Sequence, residues 1–303
     1  MSLLAGTVVG QGTLNCGKYP TTIDGHGNTF CHRVALLPWF AGVPGAWETE
    51  LRLGVTGEPV TFSLVSSLSL TAYTINLVLE DSDFGSTYFE AFDGLKLTKY
   101  GSHWTRILGR CADIGPCGVQ SATGALLVAT DGSSAAAVEA VSAFGVYTHV
   151  ANGSVVSQST APLIFMDQAA TRWSAVILET PRDLQSQSGA TVTSFAVANL
   201  SADPQAVLVR VYDERGNLAG SAKTPVLDRG LGFNASDLVG GIYANTLSSV
   251  LGTNLPSNDC YKCQSSAVFR GTVVFEGENG GKIAPVVFRF DGSAMTTVPV
   301  RAE

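Results

Sequence analysis

Charged residues are scarce in this sequence. They make up 14% of its 303 residues, whereas globular proteins average about 25%. Asp and Glu outnumber Lys and Arg by 25 to 18, which gives a formal net charge of -7, and no cluster of basic residues occurs. A protein that binds nucleic acid needs a positively charged surface to neutralise phosphates. The composition therefore excludes nucleic acid as a partner.

Long apolar runs are missing as well. A run such as Ala161 to Met166 falls far short of the roughly 20 residues that cross a bilayer, so we predict no transmembrane segment. The opening residues, Met1 to Gly6, lack the basic region and the apolar stretch of an intact signal peptide. Either the protein is cytosolic or its signal peptide has been removed, and we favour the second alternative, a secreted or cell-surface protein.

Recognisable catalytic motifs are absent too. The sequence contains no G-x-S-x-G, no H-E-x-x-H and no Gly-rich phosphate loop with a Lys. A glycoside hydrolase needs two carboxylates at a set separation, which the sequence alone does not establish for Glu48, Glu50, Glu80, Asp81 or Asp83. Glu48 and Glu50 alternate along a predicted strand, which favours its solvated face. The sequence thus favours a protein that is not an enzyme, and an uncatalogued hydrolase is the second alternative.

What the sequence does contain in quantity is Val, Thr, Ser, Ala and Gly, with 33 Gly and 12 Pro. This composition suits short strands joined by tight turns. Turn dipeptides such as Asp131-Gly132 and Asp291-Gly292 lie between alternating runs and indicate antiparallel hairpins. We predict an all-β fold of two tandem antiparallel β-sandwich domains. An Ig-like sandwich is the leading architecture, and a jelly roll is the runner-up.

The six cysteines fall into three local pairs, and such pairs predict disulfides formed in an oxidising compartment. The predicted pairs are Cys16 with Cys31, Cys111 with Cys117, and Cys260 with Cys263. Two alternatives stay open for the last pair, a structural zinc site and a thioredoxin-like redox motif. Both are disfavoured, because no histidine lies near it and its flanks are typical of a loop.

The sequence also contains an internal repeat. An apolar tetrad followed by six residues and a Trp occurs twice, ending at Trp47 and at Trp173, and we expect both rings in the core. In both copies a strand that ends at an acidic turn follows, at Asp81 and at Asp213. In each copy a cysteine pair comes next, and it is followed by a predicted strand that begins with Gly, called here the Gly-led strand. The Gly-led strands begin at Gly124 and at Gly271.

From this repeat we predict three segments. Residues 1–33 form a disulfide hairpin packed on a sandwich, residues 34–160 form the first sandwich domain, and residues 161–303 form the second, with insertions. We place the linker in the polar stretch 157–162. One short helix is expected in the second domain, in the insertion that runs from Asn234 to Leu251, with Ser236 or Asp237 as its N-cap.

Four segments of the chain are similar to a known type of module. They are the Trp-led strand, the Tyr212–Asn217 hairpin, the Asn234–Leu238 segment and the closing Thr296–Val300. Together they resemble tandem Ig-like β-sandwich modules of secreted proteins from soil bacteria, which are largely uncharacterised. The resemblance implies an extracellular location and supplies no active site. The first copy departs most, because it lacks the full hairpin motif and the closing segment.

Aromatic residues concentrate between the first acidic turn and Cys111. Exposed rings bind sugars by stacking, so Tyr88, Tyr100, His103 and Trp104 are candidates for a carbohydrate-binding surface in segment 88–104. The alternative is that alternate rings of this segment pack in the core. A cell-surface protein or a glycan is the partner that these features suggest.

Two metal sites are conceivable. Asp81 and Asp83 resemble the start of a calcium loop, although a distal bidentate Glu is not evident and an acidic turn is the alternative. Asp24, His26 and His32 also lie close in sequence, but their spacing is not diagnostic, and a Gly-rich hairpin loop is favoured. No other cofactor is expected. The leading hypothesis is therefore a non-enzymatic extracellular module for adhesion, surface assembly or scaffolding.

Overall fold

The computed structural model of the protein describes residues 14–43, 45–69, 75–81, 85–87, 94–111, 119–120, 122–228, 241–253, 255 and 268–303. These residues form antiparallel β-sheets, and the predicted all-β sandwich class is confirmed. Within them, no helix has the length and apolar character that crossing a membrane requires.

The first half of the molecule, residues 21–165, builds two sheets. Its strands are β1 (Thr21–Ile23), β2 (Thr29–Gly42), β3 (Trp47–Val55), β4 (Val60–Ser69), β5 (Ile75–Asp81), β6 (Gly85–Thr87), β7 (Leu95–Leu97), β8 (Ser102–Cys111), β9 (Val119–Gln120), β10 (Ala122–Gly132), β11 (Val141–Ala151), β12 (Ser154–Pro162) and β13 (Ile164–Phe165). Sheet I has the order β1-β2-β10-β4-β7, with β13 also paired to β2. Sheet II has the order β12-β11-β3-β8-β5-β6, with β9 also paired to β8.

The second half, residues 172–302, builds two further sheets. Its strands are β14 (Arg172–Glu179), β15 (Thr191–Asn199), β16 (Val207–Asp213), β17 (Leu218–Lys223), β18 (Ile242–Thr246), β19 (Phe269–Gly277), β20 (Ile283–Asp291), β21 (Ala294–Val298) and β22 (Arg301–Ala302). Sheet III has the order β17-β16-β19-β14-β22, and sheet IV has the order β18-β15-β20-β21. The strands therefore change from one pair of sheets to the other between residues 165 and 172.

The order of strands recurs between the halves. The run β3-β8-β5-β6 in sheet II corresponds to β14-β19-β16-β17 in sheet III, and β10-β4-β7 in sheet I corresponds to β20-β15-β18 in sheet IV. Trp47 and Trp173 then lie in corresponding strands, as do Asp81 and Asp213. The Gly-led strands do not correspond, because Gly124 lies in β10 whereas Gly271 lies in β19, the counterpart of β8. That landmark of the proposed repeat was wrong, and the domain bounds stay a prediction.

Each apolar core contains residues from both halves. The cluster between sheets III and IV holds the rings of Phe195 and Phe275, and it extends to Leu36 of sheet I. The cluster between sheets I and II holds Phe62, and it extends to Phe288 of sheet IV. Successive side chains of a strand point to opposite faces, so β2 and β20 supply both clusters. The halves are thus joined by continuous apolar packing.

Two short α-helices occur among the described residues. The helix α2 (Leu247–Leu251) lies in the second half, at the end of the insertion where a helix was predicted. Its N-cap is Thr246, whereas the predicted caps Ser236 and Asp237 lie outside the described residues. The helix α1 (Ala135–Glu139) was not predicted, although Ser134 before an Ala run is a capping signal, and its hydroxyl accepts the Ala137 N–H.

The N-terminal hairpin is clipped by the disulfide Cys16–Cys31, which confirms the first predicted pair. It closes a sequence separation of 15 residues, for which chain entropy gives a stabilisation of about 3 kcal/mol. Strand β1 pairs with β2, so this hairpin is an extension of sheet I. Cys117, Cys260 and Cys263 lie outside the described residues, and the other two pairs therefore stay predictions.

A buried ion pair ties the first half to the segment between the halves. The Arg33 guanidinium donates to both carboxylate oxygens of Asp167, at 3.0 and 3.3 Å, and to the carbonyl oxygen of Val138. Its carbon lies 3.6 Å from the ring centroid of Phe165, which is a cation–π contact. Lys18 adds a second, exposed ion pair to Asp167. Segments around residues 18, 33, 138 and 167 are therefore connected through this ion pair.

The predicted linker is a strand. Residues 157–162 belong to β12, which pairs along its length with β11. Its serine side chains reach across to the second half, where Ser157 and Ser159 accept the backbone N–H groups of Met295 and Thr297 at 3.1 and 2.7 Å. The polar composition that suggested a linker therefore serves a side-chain connection between the edge strands β12 and β21.

Candidate functional site

An aromatic cleft lies where the two halves meet. Its volume is about 420 Å³, which is within the range of about 300–1,000 Å³ that is typical of small-molecule sites. Strands of sheets I and II form one wall, and strands of sheet IV with the start of α2 form the other. The cleft is lined by Trp39, Ala41, Val43, Trp47, Thr123, Tyr147, Ser194, Phe195, Ala196, Ala244, Asn245, Thr246, Phe288, Phe290 and Met295.

Trp47 stands at the centre of the ring contacts in this cleft. It stacks on His149 with a centroid separation of 4.3 Å and meets Phe290 edge-on at 5.7 Å. A tight turn before β3 positions Trp47, because Val43 and Trp47 exchange backbone hydrogen bonds across this turn. We expected Trp47 in the core, and this is true only in part, since its half-buried ring packs against the core cluster between sheets I and II. Trp173 is buried as predicted, with 6% of its surface exposed.

Tyr147 forms the floor of the cleft. Its ring meets Phe288 of the second half edge-on, with centroids 4.9 Å apart. Its hydroxyl donates a hydrogen bond of 2.6 Å to the carbonyl oxygen of Trp39. Burial raises the pKa of this hydroxyl well above its usual range, so the phenol stays neutral. The side chain therefore presents an uncharged, fixed ring to the cleft.

Polar groups gather at the end of the cleft beside α2. Asn245 donates to the Tyr243 hydroxyl and accepts the N–H of Thr246, and the Thr246 hydroxyl accepts the N–H of Ser249 as the helix cap. Ser194 also lines this region, and its hydroxyl makes no hydrogen bond to a described residue. None of the described lining residues is Asp, Glu, Lys or Arg. The described lining is therefore mostly apolar and uncharged, and several of its neutral polar groups lie beside α2.

The predicted carbohydrate surface is only partly described. Tyr88 lies outside the described residues. Tyr100 is 77% exposed at the turn before β8, with a φ of 63°, and Trp104 is 39% exposed. His103 precedes Trp104 in β8 and so points to the opposite face, where Thr105 is buried. His103 and Trp104 therefore do not belong to one flat platform.

The structure separates the residues of one conceivable metal site. Both carboxylate oxygens of Asp24 are engaged within its own turn, by the backbone of His26 and by Asn28. His32 instead lies 2.7 Å from Asp131. No group of three His, Cys, Asp or Glu able to hold a metal occurs in the part of the chain that is described. A site from Asp24, His26 and His32 was thus a wrong alternative, and the favoured hairpin loop is what forms.

The calcium hypothesis stays open. Asp81 ends β5, where its backbone pairs with Gly85 and Thr105, and Asp83 lies outside the described residues.

The Asp24 turn has a counterpart in the second half that sequence reasoning missed. Asp213 accepts from the backbone N–H groups of Arg215 and Asn217 and from the Asn217 side chain, as Asp24 does from the residues at the same spacing. Gly27 and Gly216 both have a φ near 80°, which favours glycine. The pattern D-x-x-G-N is visible in both places and would have revealed the likeness.

A buried carboxyl lies away from the cleft, at the end of β14. Alternation along this strand puts Glu179 on the core face, where it is 1% exposed. Its oxygens accept from the Thr193 backbone N–H at 2.6 Å and from the Gln185 side chain at 2.8 Å. Burial raises its pKa from 4.5 to about 7, although these hydrogen bonds oppose the rise. Its role is to hold the connection between β14 and β15.

We expect this carboxyl to make stability depend on pH. The folded protein holds the proton more tightly than the unfolded chain, so the free energy of unfolding falls as pH rises from 4.5 to about 7. The loss at higher pH is about 3 kcal/mol at most. Urea unfolding at a series of pH values measures it. Glu179→Gln should flatten the profile in this window, and an unchanged profile in that variant would contradict the assignment.

The fold and the cleft define a β-sandwich protein in which two pairs of antiparallel sheets enclose an aromatic site between them. Comparison of the chain with protein families, with curated proteins and with solved structures found no match.

Proposed function

We propose that the protein is a non-enzymatic extracellular module for adhesion, surface assembly or scaffolding. One observation carries the proposal: both apolar cores contain side chains from both halves. Interfaces that are large and apolar resist relative motion of the parts that they join. The molecule is thus suited to hold its outer surfaces at a constant spacing, which is what a scaffold or an adhesive stalk requires.

The cysteine chemistry supports the extracellular part of the proposal. Disulfides form and persist in oxidising compartments, and Cys16–Cys31 is such a bond at the core of the N-terminal hairpin. The recurring strand order supports an Ig-like tandem arrangement, and with it a relationship to the secreted modules of soil bacteria. A cell-surface protein or glycan is the corresponding partner.

Two of the described histidines, a residue type that a hydrolase would use as a base, make contacts that stabilise the fold. His149 is stacked on Trp47 and bonded to the carbonyl oxygen of Ser293, and His32 is bonded to Asp131. Each ring nitrogen contact ties one element of the fold to another. A general base would instead be aimed at a bound substrate.

The proposal is tested by two measurements on the purified full chain. We expect small-angle X-ray scattering to fit one rigid body with the dimensions of this structure, and a panel of ester, glycoside, phosphate and peptide substrates to show no turnover. Scattering that requires separate, mobile halves would refute the scaffold. Turnover that is lost on replacing His149 or Glu48, in a variant that still folds by circular dichroism, would establish the hydrolase alternative.

A carbohydrate-binding function is the second candidate, and the exposure of Tyr100 and Trp104 favours it. Aromatic rings at a surface stack on the apolar faces of sugars. A glycan array decides between the candidates. Signal that disappears with Trp104→Ala and with Tyr100→Ala would support sugar binding, and an array without signal would exclude it.

A further inference from the structure

We propose that the cleft between the halves is a binding site for a small, neutral, planar aromatic molecule. The inference is independent of the scaffolding function, because it rests on the shape and chemistry of the cleft alone. A site of about 420 Å³ accommodates a ligand of two or three fused or linked rings. It is too small for a folded partner element such as a helix, whose diameter with side chains is about 10–12 Å.

The walls of the cleft select for an aromatic ligand. Rings from both halves face it, and the pairs Trp47–Phe290 and Tyr147–Phe288 already meet edge-on across the seam. Such edge-on and stacked contacts contribute about 0.5–1.5 kcal/mol beyond the burial of area, and a flat ring added between them extends the same pattern. An aliphatic ligand would gain the burial but not these ring contacts.

The absence of charge in the described lining selects for a neutral ligand. Burying an ionised group without a partner is costly, and the polar side-chain groups of the described lining are neutral, namely hydroxyls, the Asn245 amide and indole N–H groups. The Ser194 hydroxyl is the group beside α2 that has no hydrogen bond to a described residue, so it is placed to bind one polar atom of the ligand. The expected ligand is therefore an aromatic ring system with a single neutral polar group.

The cleft is held open by the surrounding structure. Tyr147 is fixed by its bond to the Trp39 carbonyl, and Ser157 and Ser159 connect β12 to β21 beside it. Because both walls are fixed before a ligand arrives, little ordering is needed on binding.

Fluorescence titration with N-phenyl-1-naphthylamine tests the site. This probe is neutral and aromatic, carries one polar N–H, and becomes fluorescent in apolar surroundings. We expect saturable binding of one probe per chain, with a dissociation constant on the order of 10 µM. The sulfonated analogue 1-anilinonaphthalene-8-sulfonate should bind at least about tenfold more weakly, because its charge finds no partner in the cleft. Failure to saturate, or tighter binding of the sulfonate, would overturn the proposal.

A pair of matched variants places the probe in the cleft. Ala244 lines it and is half-buried, so Ala244→Phe should fill it and weaken binding by at least about tenfold. Val176→Phe adds a ring on the outer face of sheet III, where Val176 is 73% exposed, and should leave binding unchanged. Circular dichroism checks that both variants fold. Ala41→Phe, on the opposite wall, replaces Ala244→Phe if the latter does not fold, and unchanged affinity in the folded cleft variant would show that the probe binds elsewhere.

Discussion

Replacing Arg33 with alanine should lower the free energy of unfolding by about 3 kcal/mol, because the substitution removes the buried partner of Asp167 and leaves this carboxylate, among the described residues, only the exposed ammonium group of Lys18 as an ion-pair partner. Arg33 is 7% exposed and holds Asp167 through two hydrogen bonds. Burial by itself would raise the pKa of the Asp167 carboxyl, but the bonds from Arg33 and Lys18 hold it below its usual value. The carboxylate is therefore charged and depends on Arg33. Urea unfolding at neutral pH measures the loss.

Lys18→Ala is the matched control for this experiment. Lys18 contacts the same carboxylate at 3.0 Å, but its side chain is 62% exposed. Exposed ion pairs contribute about 0–1 kcal/mol, so the control should remain close to the wild-type stability. Equal losses in the two variants would mean that the burial of the guanidinium is not what makes the pair important.

Phe288→Ala should cost about 3–5 kcal/mol and should separate the unfolding of the two halves. Phe288 belongs to the second half, is 5% exposed, and packs against Tyr147 of the first. The wild-type protein, whose cores are shared, should unfold in one transition. Without this ring the shared packing is weakened, and we expect two transitions in a calorimetric scan.

Phe275→Ala distinguishes loss of apolar burial from loss of the connection. Phe275 is fully buried and packs against Phe195 within the core of the second half. Its removal should cost a similar amount in a single transition, because the contacts between the halves stay intact. Two transitions in this variant, or one in Phe288→Ala, would contradict the view that the halves are coupled through Phe288.

Local pattern was sufficient for the fold class and for single strands. Alternation in Arg172–Glu179 correctly places Trp173 in the core, and the short loop between Cys16 and Cys31 correctly predicts their bond. The same alternation places Glu179 inside, where a carboxyl is unexpected. Its partner Thr193 lies across a loop, so the position makes sense only once β14 and β15 are neighbours.

The cleft could not be predicted from the sequence, for a different reason. Its lining comes from strands that are up to 256 residues apart, as Trp39 and Met295 show. Hydrophobic residues on a strand indicate burial but not which sheet covers them. The half-buried Trp47 was thus indistinguishable from the buried Trp173. Knowledge that sheet IV packs on the first half is needed to separate the two.

The polar stretch of β12 misled us for a related reason. Serines in sequence are typical of loops, and 157–162 was read as a linker. In the structure the same hydroxyls accept hydrogen bonds from a strand of the other half. The hydroxyls do need hydrogen-bond partners, but those partners are 138 positions away in the sequence, and local pattern does not reveal them.

The serines of β12 also reduce the tendency of the protein to aggregate through an edge strand. β21 is an edge strand of sheet IV. An edge strand with unpaired backbone N–H groups can pair with a strand from another molecule. The serine hydroxyls of Ser157 and Ser159 accept hydrogen bonds from the backbone N–H groups of Met295 and Thr297. These two N–H groups are therefore not free to pair with another molecule. The serine hydroxyls of the adjacent strand β12 thereby protect one sheet edge of this strand-rich protein from the intermolecular strand pairing that begins fibre formation.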